Sequence, residues 1–423
     1  MSGVRPGPAL SATQTGLELR PIRPEEFEEW VNAMRRTFGA PSITPEGVEV
    51  ARPITEFDRS LAFFDQGRIV ATAGIFSFEM AVPGGRNLPC AGVTRVTVMP
   101  THRRRGLLTA MMRREMEDCQ ARQEPLAALY ASEAVIYGRF GYGVATYDLE
   151  LEIPRSRSAF RPLPQPGGRM RLVDKDRALP MIQDIWARAQ PSQPGMLTHT
   201  ETWWRHDLMD LEQWREGSSE QYLAVYEDAG GRPQGFAQYR VKLTWTDNQP
   251  DGTLTILLLI AATPEAYAAV WRYCLDVDLI AQVKASMRRV DEPVRFLLVD
   301  VRAPKAKLWE SLWLRLVDVP AALSGRRYAR SGSLVLDVRD AFCPWNQRRW
   351  KLETSDGTAS CTQTREDADL GIDVADLAAI YLGGNRIGTL AQAQRIDERR
   401  PGAVALADAM FASERTPWCP THF

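Results

Sequence analysis

The chain has 423 residues, 44% of them hydrophobic and 25% charged, with 52 basic and 53 acidic side chains. It is long enough for two to four domains with full cores, and its formal net charge of −1 argues against bulk attraction to nucleic acid or insertion into a membrane. Six scattered cysteines form no CxxC pair, and four histidines fall in no ligand spacing, so reduced thiols in a cytoplasmic protein without a metal are expected.

Residues 1–16 are rich in Pro, Gly, Ser and Thr and hold no apolar signal segment, which reads as a loose arm. Residues 17–23 alternate like a strand. Pro24-Glu25-Glu26 opens a helical pattern reaching about Phe38, with acids at the positive helix end. Residues 61–65 and 69–81 read as strands around a Gln66-Gly67 turn, and residues 91–98 as another strand. A strong amphipathic helix follows over 106–121, then a short buried strand over 126–131. This order gives an α/β arrangement with a mixed sheet.

A proline-rich stretch over 155–168 reads as a linker. Beyond it the pattern repeats in part: Tyr222-Leu223-Ala224-Val225-Tyr226-Glu227 resembles Ser60-Leu61-Ala62-Phe63-Phe64-Asp65, and residues 254–262 stand where 93–99 stood. An internal duplication accounts for both. A third segment begins near 303–307, with strands over 333–338, 350–354 and 360–362, helices over 373–380, 387–392 and 403–411, and an irregular tail interrupted by Pro417 and Pro420.

The chemistry concentrates in two stretches. In the first, a β-branched strand (Thr94-Arg95-Val96-Thr97-Val98) ends at Pro100. A basic turn, Arg103-Arg104-Arg105-Gly106, then opens a helix at Leu107-Leu108-Thr109. Orphan amides at a helix start can hold a pyrophosphate, Gly106 lets backbone approach it closely, and any of the three arginines can meet the 3′-phosphate of CoA. The strand edge at Val96 and Val98 can pair with the amides of a pantetheine arm. Alone, a basic turn capped by glycine is a solvated turn; the strand–turn–helix order turns it into a phosphate site. In the second stretch, Ala131 to Gly143, a short helix places Tyr137 beside the sulfur end. There a phenol can protonate a departing thiolate.

Together these stretches resemble the GNAT superfamily of acetyl-CoA-dependent N-acetyltransferases. The wording THRRRGLLTAMM followed by ASEAVIYGRFGYG resembles its Eis (enhanced intracellular survival) group. Leu108 departs from the superfamily's second small residue in a way typical of that group. The resemblance implies tandem GNAT domains over 1–155 and 156–305, only the first binding acetyl-CoA, and a sterol-carrier-protein-like domain over 306–423. It implies that Arg104 to Thr109 hold phosphates, that Ser132 and Glu133 also touch the cofactor, that Tyr137 is the general acid, and that Phe423 lends its terminal carboxylate as base. It further implies a homohexamer and a polycationic, aminoglycoside-like amine acceptor. Alternatives are protein-lysine acetylation, or a lipid carrier with vestigial GNAT domains. In the second copy Thr263-Pro264-Glu265-Ala266 replaces the basic turn, so one cofactor site per chain is expected.

Overall fold

A computed structural model describes residues 16–164 and 167–423. The expected N-terminal arm lies almost wholly outside the described residues, as does the middle of the linker. After β1 (Glu18–Pro21), helix α1 (Phe27–Thr37) buries Phe27, Trp30 and Val31 and leaves Glu28 and Glu29 exposed. Helix α2 (Pro45–Ala51) starts where the Thr44 side chain accepts from the Gly47 amide. β2 (Ser60–Asp65) and β3 (Arg68–Val82) meet at Gln66-Gly67, both at positive φ (48° and 80°), as a tight hairpin turn requires. β4 (Arg86–Val98), α3 (Leu107–Ala121), β5 (Leu126–Tyr130), the single-turn α4 (Ala134–Tyr137) and β6 (Gly143–Val144) follow.

The first sheet has seven strands in the order β1-β2-β3-β4-β5-(Leu312–Leu316)-β6, parallel only between β4 and β5. The second sheet repeats that plan in reverse listing: Lys305–Glu310, β7 (Tyr147–Pro154), Ile280–Arg289, Gly252–Ala261, Pro233–Lys242, Tyr222–Glu227, Arg169–Leu172. Its single parallel pair, Gly252–Ala261 with Ile280–Arg289, matches β4 with β5. The duplication is therefore present in the strand topology itself.

Strand membership departs from boundaries at 155 and 305. β7 lies before residue 155 yet pairs with Ile280–Arg289 and Lys305–Glu310 in the second sheet. Leu312–Leu316 lies after 305 yet sits between β5 and β6 of the first. Each copy thus receives its sixth strand from beyond the other. Hydrophobic patterning reveals a strand but not its partner, which is why the boundaries drawn from sequence miss the exchange.

The C-terminal sheet runs Thr358–Gln363, Arg349–Ser355, Gly332–Arg339, Leu370–Asp373, Ile396–Glu398. It shares one core with the first sheet: Phe76, Met80, Leu312 and Leu314 pack with Leu334, Leu336, Ile372, Leu377 and Tyr381. Leu314 is fully buried at the centre of this junction. Leu314→Ala should cost about 2–5 kcal/mol of stability, read as a lowered denaturant midpoint for the whole chain rather than for one domain.

Candidate active site

The site begins with a defect in β4. Opposite Thr72 and Gly74 of β3, β4 spends an extra residue between Thr97 and Thr94. The bulge holds Arg95 at φ 54°, a conformation that a non-glycine residue adopts only under constraint. β4 then pairs with β5 over three residues only, Cys90 with Leu126, Ala91 with Ala127 and Gly92 with Ala128. Beyond Gly92 the strands part, and residues 93–98, including half-buried Val96 and Val98, remain paired with β3 but have no strand partner on the β5 side.

At the far end of β4 the chain turns through Pro100–His102. His102 Nε2 lies 3.0 Å from Asp65 Oδ2, and Arg103 Nε donates to Val98 O at 3.3 Å. Arg104 (φ 62°) and Gly106 (φ 81°) both take left-handed backbone, and a side chain on Gly106 would meet nothing within 4 Å. Space is thus left open over the start of α3. No side chain caps that helix, so its first amides, at Leu107, Leu108 and Thr109, point to the gap unsatisfied. Arg103, Arg104 and Arg105 are exposed, and among the described residues none holds a carboxylate. Leu107, 2% exposed, fixes the helix to the sheet. Open helix-start amides beside three exposed guanidinium groups are a chemistry that could hold an anion.

Tyr137 ends α4 and is 5% exposed. It packs in the cluster of Ala91, Val93, Met112, Met116 and Tyr142, on the α3 face of the sheet. Its ring stands edge-on to Tyr142 at 6.1 Å, and its hydroxyl makes no hydrogen bond among the described residues. Burial, and then the carboxylates of Glu115 and Glu133, push its pKa up to about 12. Ser132 and Glu133 are exposed between the end of β5 and α4. Cys119, buried on α3 with its thiol pushed well above the ordinary range by burial, is unsuited to act as a nucleophile.

Phe423 arrives from the other face. Its ring lies 5.3 Å from those of Phe78 and Tyr130. A side chain added to Gly92 would meet Phe423 at 3.1 Å. Gly92 thus turns to Phe423 while its neighbours Ala91 and Val93 turn to the cluster holding Tyr137. The phenol and the chain's last residue therefore reach the parting of β4 and β5 from opposite sides and do not touch.

The tail is held by the second copy and by β5 of the first. Gln193 Nε2 donates to Thr416 O (2.7 Å), Trp418 N to Pro194 O (2.8 Å) and Trp418 Nε1 to Met287 O (2.6 Å). Tyr130 OH donates to Thr421 O at 2.8 Å, and His199 Nε2 lies 2.8 Å from Thr421 Oγ1. Sequence reasoning missed Gly92, Tyr130, Gln193 and His199. Only Gly92 left a signal, an isolated glycine inside an apolar strand, which marks close approach.

The corresponding places in the second copy are closed. Thr263 caps the helix Pro264–Asp276 by accepting from Ala266 N. Glu265 accepts from Tyr226 OH and Gly167 N. Arg288 Nη1 donates to Leu259 O inside the second parting of strands, and Trp418 stacks over Arg288 at 5.1 Å.

Family models described as acetyltransferase (GNAT) domains match residues 18–145 and 195–316, and one described as a sterol carrier protein domain matches 319–420. An N-acetyltransferase of Streptomyces avermitilis is 41% identical over 96% of this chain and 99% of its own. N-acetyltransferase Eis of Mycobacterium bovis is 33% identical over 88% of this chain and 91% of its own. The chain belongs to the Eis-like N-acetyltransferases of the GNAT superfamily. The solved structure of Eis1 from Mycobacterium abscessus superposes with a TM-score of 0.84 at 33% identity, covering 96% of this chain and all of that one. The Eis-like fold, two GNAT domains and a sterol-carrier-like domain, is as the sequence resemblance implied. The carrier reading gives way to an enzyme. A cavity of about 550 Å³ against the C-terminal domain is lined by Val144, Trp313, Ala375 and Leu390 together with Asp373, Asp376 and Arg395.

His199 offers a pH test of the tail's anchorage. Burial holds its pKa down to about 3, and Nδ1 lies 3.8 Å from Asp207, too far for a hydrogen bond to offset this. The unfolded chain binds the proton near its ordinary value of about 6.5 and the folded chain does not. Stability should therefore be unaffected above that pH and fall as pH drops from there towards 3, by on the order of a few kcal/mol. Melting curves across that range should show a shallower decline for His199→Gln.

Proposed function

We propose that this enzyme moves an acetyl group from acetyl-CoA to a primary amine bound at the same time, without a covalent enzyme intermediate. The observation that carries the reading is the unpaired parting of β4 and β5 beside an uncapped helix, reached from one face by Tyr137 and from the other by Phe423. Val96 and Val98 would hold the pantetheine arm by strand-like hydrogen bonds. Arg103, Arg104, Arg105, Gly106, Leu107, Leu108 and Thr109 would hold the phosphates, and Ser132 and Glu133 would flank the acyl end. Bound there, acetyl-CoA supplies the activated acyl group.

The Phe423 carboxylate accepts the proton that the attacking amine loses, directly or through a water. Tyr137 gives its proton to sulfur as the carbon–nitrogen bond forms and the carbon–sulfur bond breaks. A phenol at about 12 stays protonated at neutral pH and is a weaker acid than a thiol of about 8.5. Its proton therefore moves only as the sulfur gains charge, together with C–S cleavage. Afterwards the carboxylic acid and phenolate exchange their proton through solvent. The polycationic, aminoglycoside-like acceptor has support in the terminal carboxylate for one amine at a time, and a lysine side chain would use the same groups.

Self-association is supported by exposed apolar side chains gathered late in the second domain: Phe296, Val299, Val301, Leu308 and Trp309 are 55–72% exposed, the last two on an edge strand. Six free cysteines suit a reducing, cytoplasmic setting, and among the described residues no helix is long and apolar enough to cross a membrane.

Tyr137→Phe and deletion of Phe423 should each lower kcat about 10²- to 10⁴-fold in a thiol-release assay while calorimetric acetyl-CoA affinity is retained. Loss of that affinity would refute the assigned roles. Leu308→Glu with Trp309→Glu should reduce any oligomer that the wild-type chain forms to smaller species in sedimentation analysis.

A further inference from the structure

The cavity of about 550 Å³ between the first sheet and the C-terminal domain has the size of a small-molecule site. One wall is α4 and the chain after it: Ala134, Val135, Gly138 and Val144 line it. The other is the start of helix Val374–Tyr381 with the segment that follows. Tyr137, on the same single turn as Ala134 and Val135, packs instead among the α3 side chains Met112 and Met116. The cavity is therefore separate from the gap between β4 and β5.

Bonds already made fix what its lining can still offer. Asn385 Nδ2 donates to Val144 O at 2.8 Å and to Ala379 O at 2.9 Å. Only the amide nitrogen can serve two carbonyls, so the free atom of that side chain is an acceptor oxygen. Asp373 Oδ1 caps its helix by accepting from Ala375 N at 2.9 Å, and Asp376 Oδ1 accepts from Arg395 Nε at 2.7 Å. Among the described residues neither second carboxylate oxygen has a partner. The Asp376 side chain is only 6% exposed, so that oxygen has little water to turn to. Burial raises its pKa against the bond to Arg395, and the neighbouring charge of Asp373 adds to the rise. Arg395 is the one cation among the described residues of the lining, so two carboxylates share it. Trp313 Nε1 and the Tyr142 hydroxyl also lack partners but are themselves buried. The rest of the wall is apolar: Trp313, Leu390 and Val135, whose side chain is 83% exposed.

We propose that this cavity is a second, non-catalytic site that takes an organic ammonium ion, its N–H groups on the free oxygens of Asp373, Asp376 and Asn385 and its apolar part against Val135, Leu390 and Trp313. Acceptor oxygens with a carboxylate in excess select a cationic donor and disfavour an anion, and the apolar walls favour carbon over water beyond the charge. The assignment goes beyond the acetyltransfer reading and does not depend on it.

The test is calorimetry on the full chain with hexylammonium, hexanol and hexanoate, without CoA and at saturating CoA. Hexylammonium should bind about tenfold or more tighter than hexanol, hexanoate should bind more weakly than either, and CoA should change none of this. Deletion of Phe423, which removes the carboxylate of the acceptor site, should leave the binding in place. Asp373→Asn with Asp376→Asn should abolish the preference for the ammonium, since asparagine at 373 still caps the helix but carries no charge. Val135→Lys, at a position exposed enough to tolerate it, sets a resident ammonium at the cavity and should weaken hexylammonium binding; it decides the matter if melting curves show that the double variant does not fold. Absence of a preference for the ammonium, a preference unmoved by these variants, displacement by CoA, or loss of binding on deletion of Phe423 each overturns the assignment. Thiol release from acetyl-CoA, measured separately, tests the transferase reading: its absence with hexylammonium still bound would sink that reading and leave this one.

Discussion

Everything at this site follows from backbone hydrogen bonds that β4 does not make. A parallel pair that stops after three residues leaves those amides and carbonyls of residues 93–98 that point away from β3 facing a gap, and unpaired backbone groups need partners. The bulge at Arg95 turns β4 away from β5, so the gap is built into the strand and is no product of fraying. Once the strands part, an extended ligand can add itself as a partial strand. The same parting admits a phenol from one face and the ring of the last residue from the other. Neither group could reach the centre of an unbroken sheet.

The second copy shows what the same topology becomes when the gap is not used. Its parallel strands part as well, but Arg288 fills the opening and satisfies Leu259 O, and Thr263 and Glu265 occupy the helix start with a cap and an acid. An acid at that position repels phosphate, and a side-chain cap removes the amides a phosphate would use. In the first copy glycine and left-handed backbone leave both positions open. The second copy has another task in this chain. Its Gln193, Pro194, His199 and Met287 grip the tail.

The elements of the first copy were legible because glycine turns and period-two alternation punctuate them clearly, and the basic turn before Leu107 was legible because strand, turn and helix are contiguous. Helix Lys175–Ala189, with Pro180 inside it, and strand Ile280–Arg289, interrupted by Lys284, Arg288 and Arg289, went unread because their patterns are broken by the residues that do other work. The exchange of β7 for Leu312–Leu316 was illegible in principle: both strands carry the right periodicity for either sheet. The tail's destination likewise leaves no local trace. Phe423 entered only through resemblance, and its anchors are single side chains far away in sequence.

The exchanged strands and the tail bear on one another. Leu312–Leu316 lies beside β5, whose Tyr130 binds the tail, while β7 lies beside Ile280–Arg289, whose Met287 carbonyl receives Trp418. Each sheet is thus completed by chain that passes through the other before the tail is laid across both. A carboxylate borne on a flexible terminus would cost conformational entropy each time it was positioned. Here several hydrogen bonds and two ring contacts fix it in advance, which is the condition for a terminal group to act as a positioned base. The place of Phe423 is therefore built from both sheets and the C-terminal domain together, and under the proposed mechanism a first copy standing alone would have nothing in place to deprotonate an acceptor.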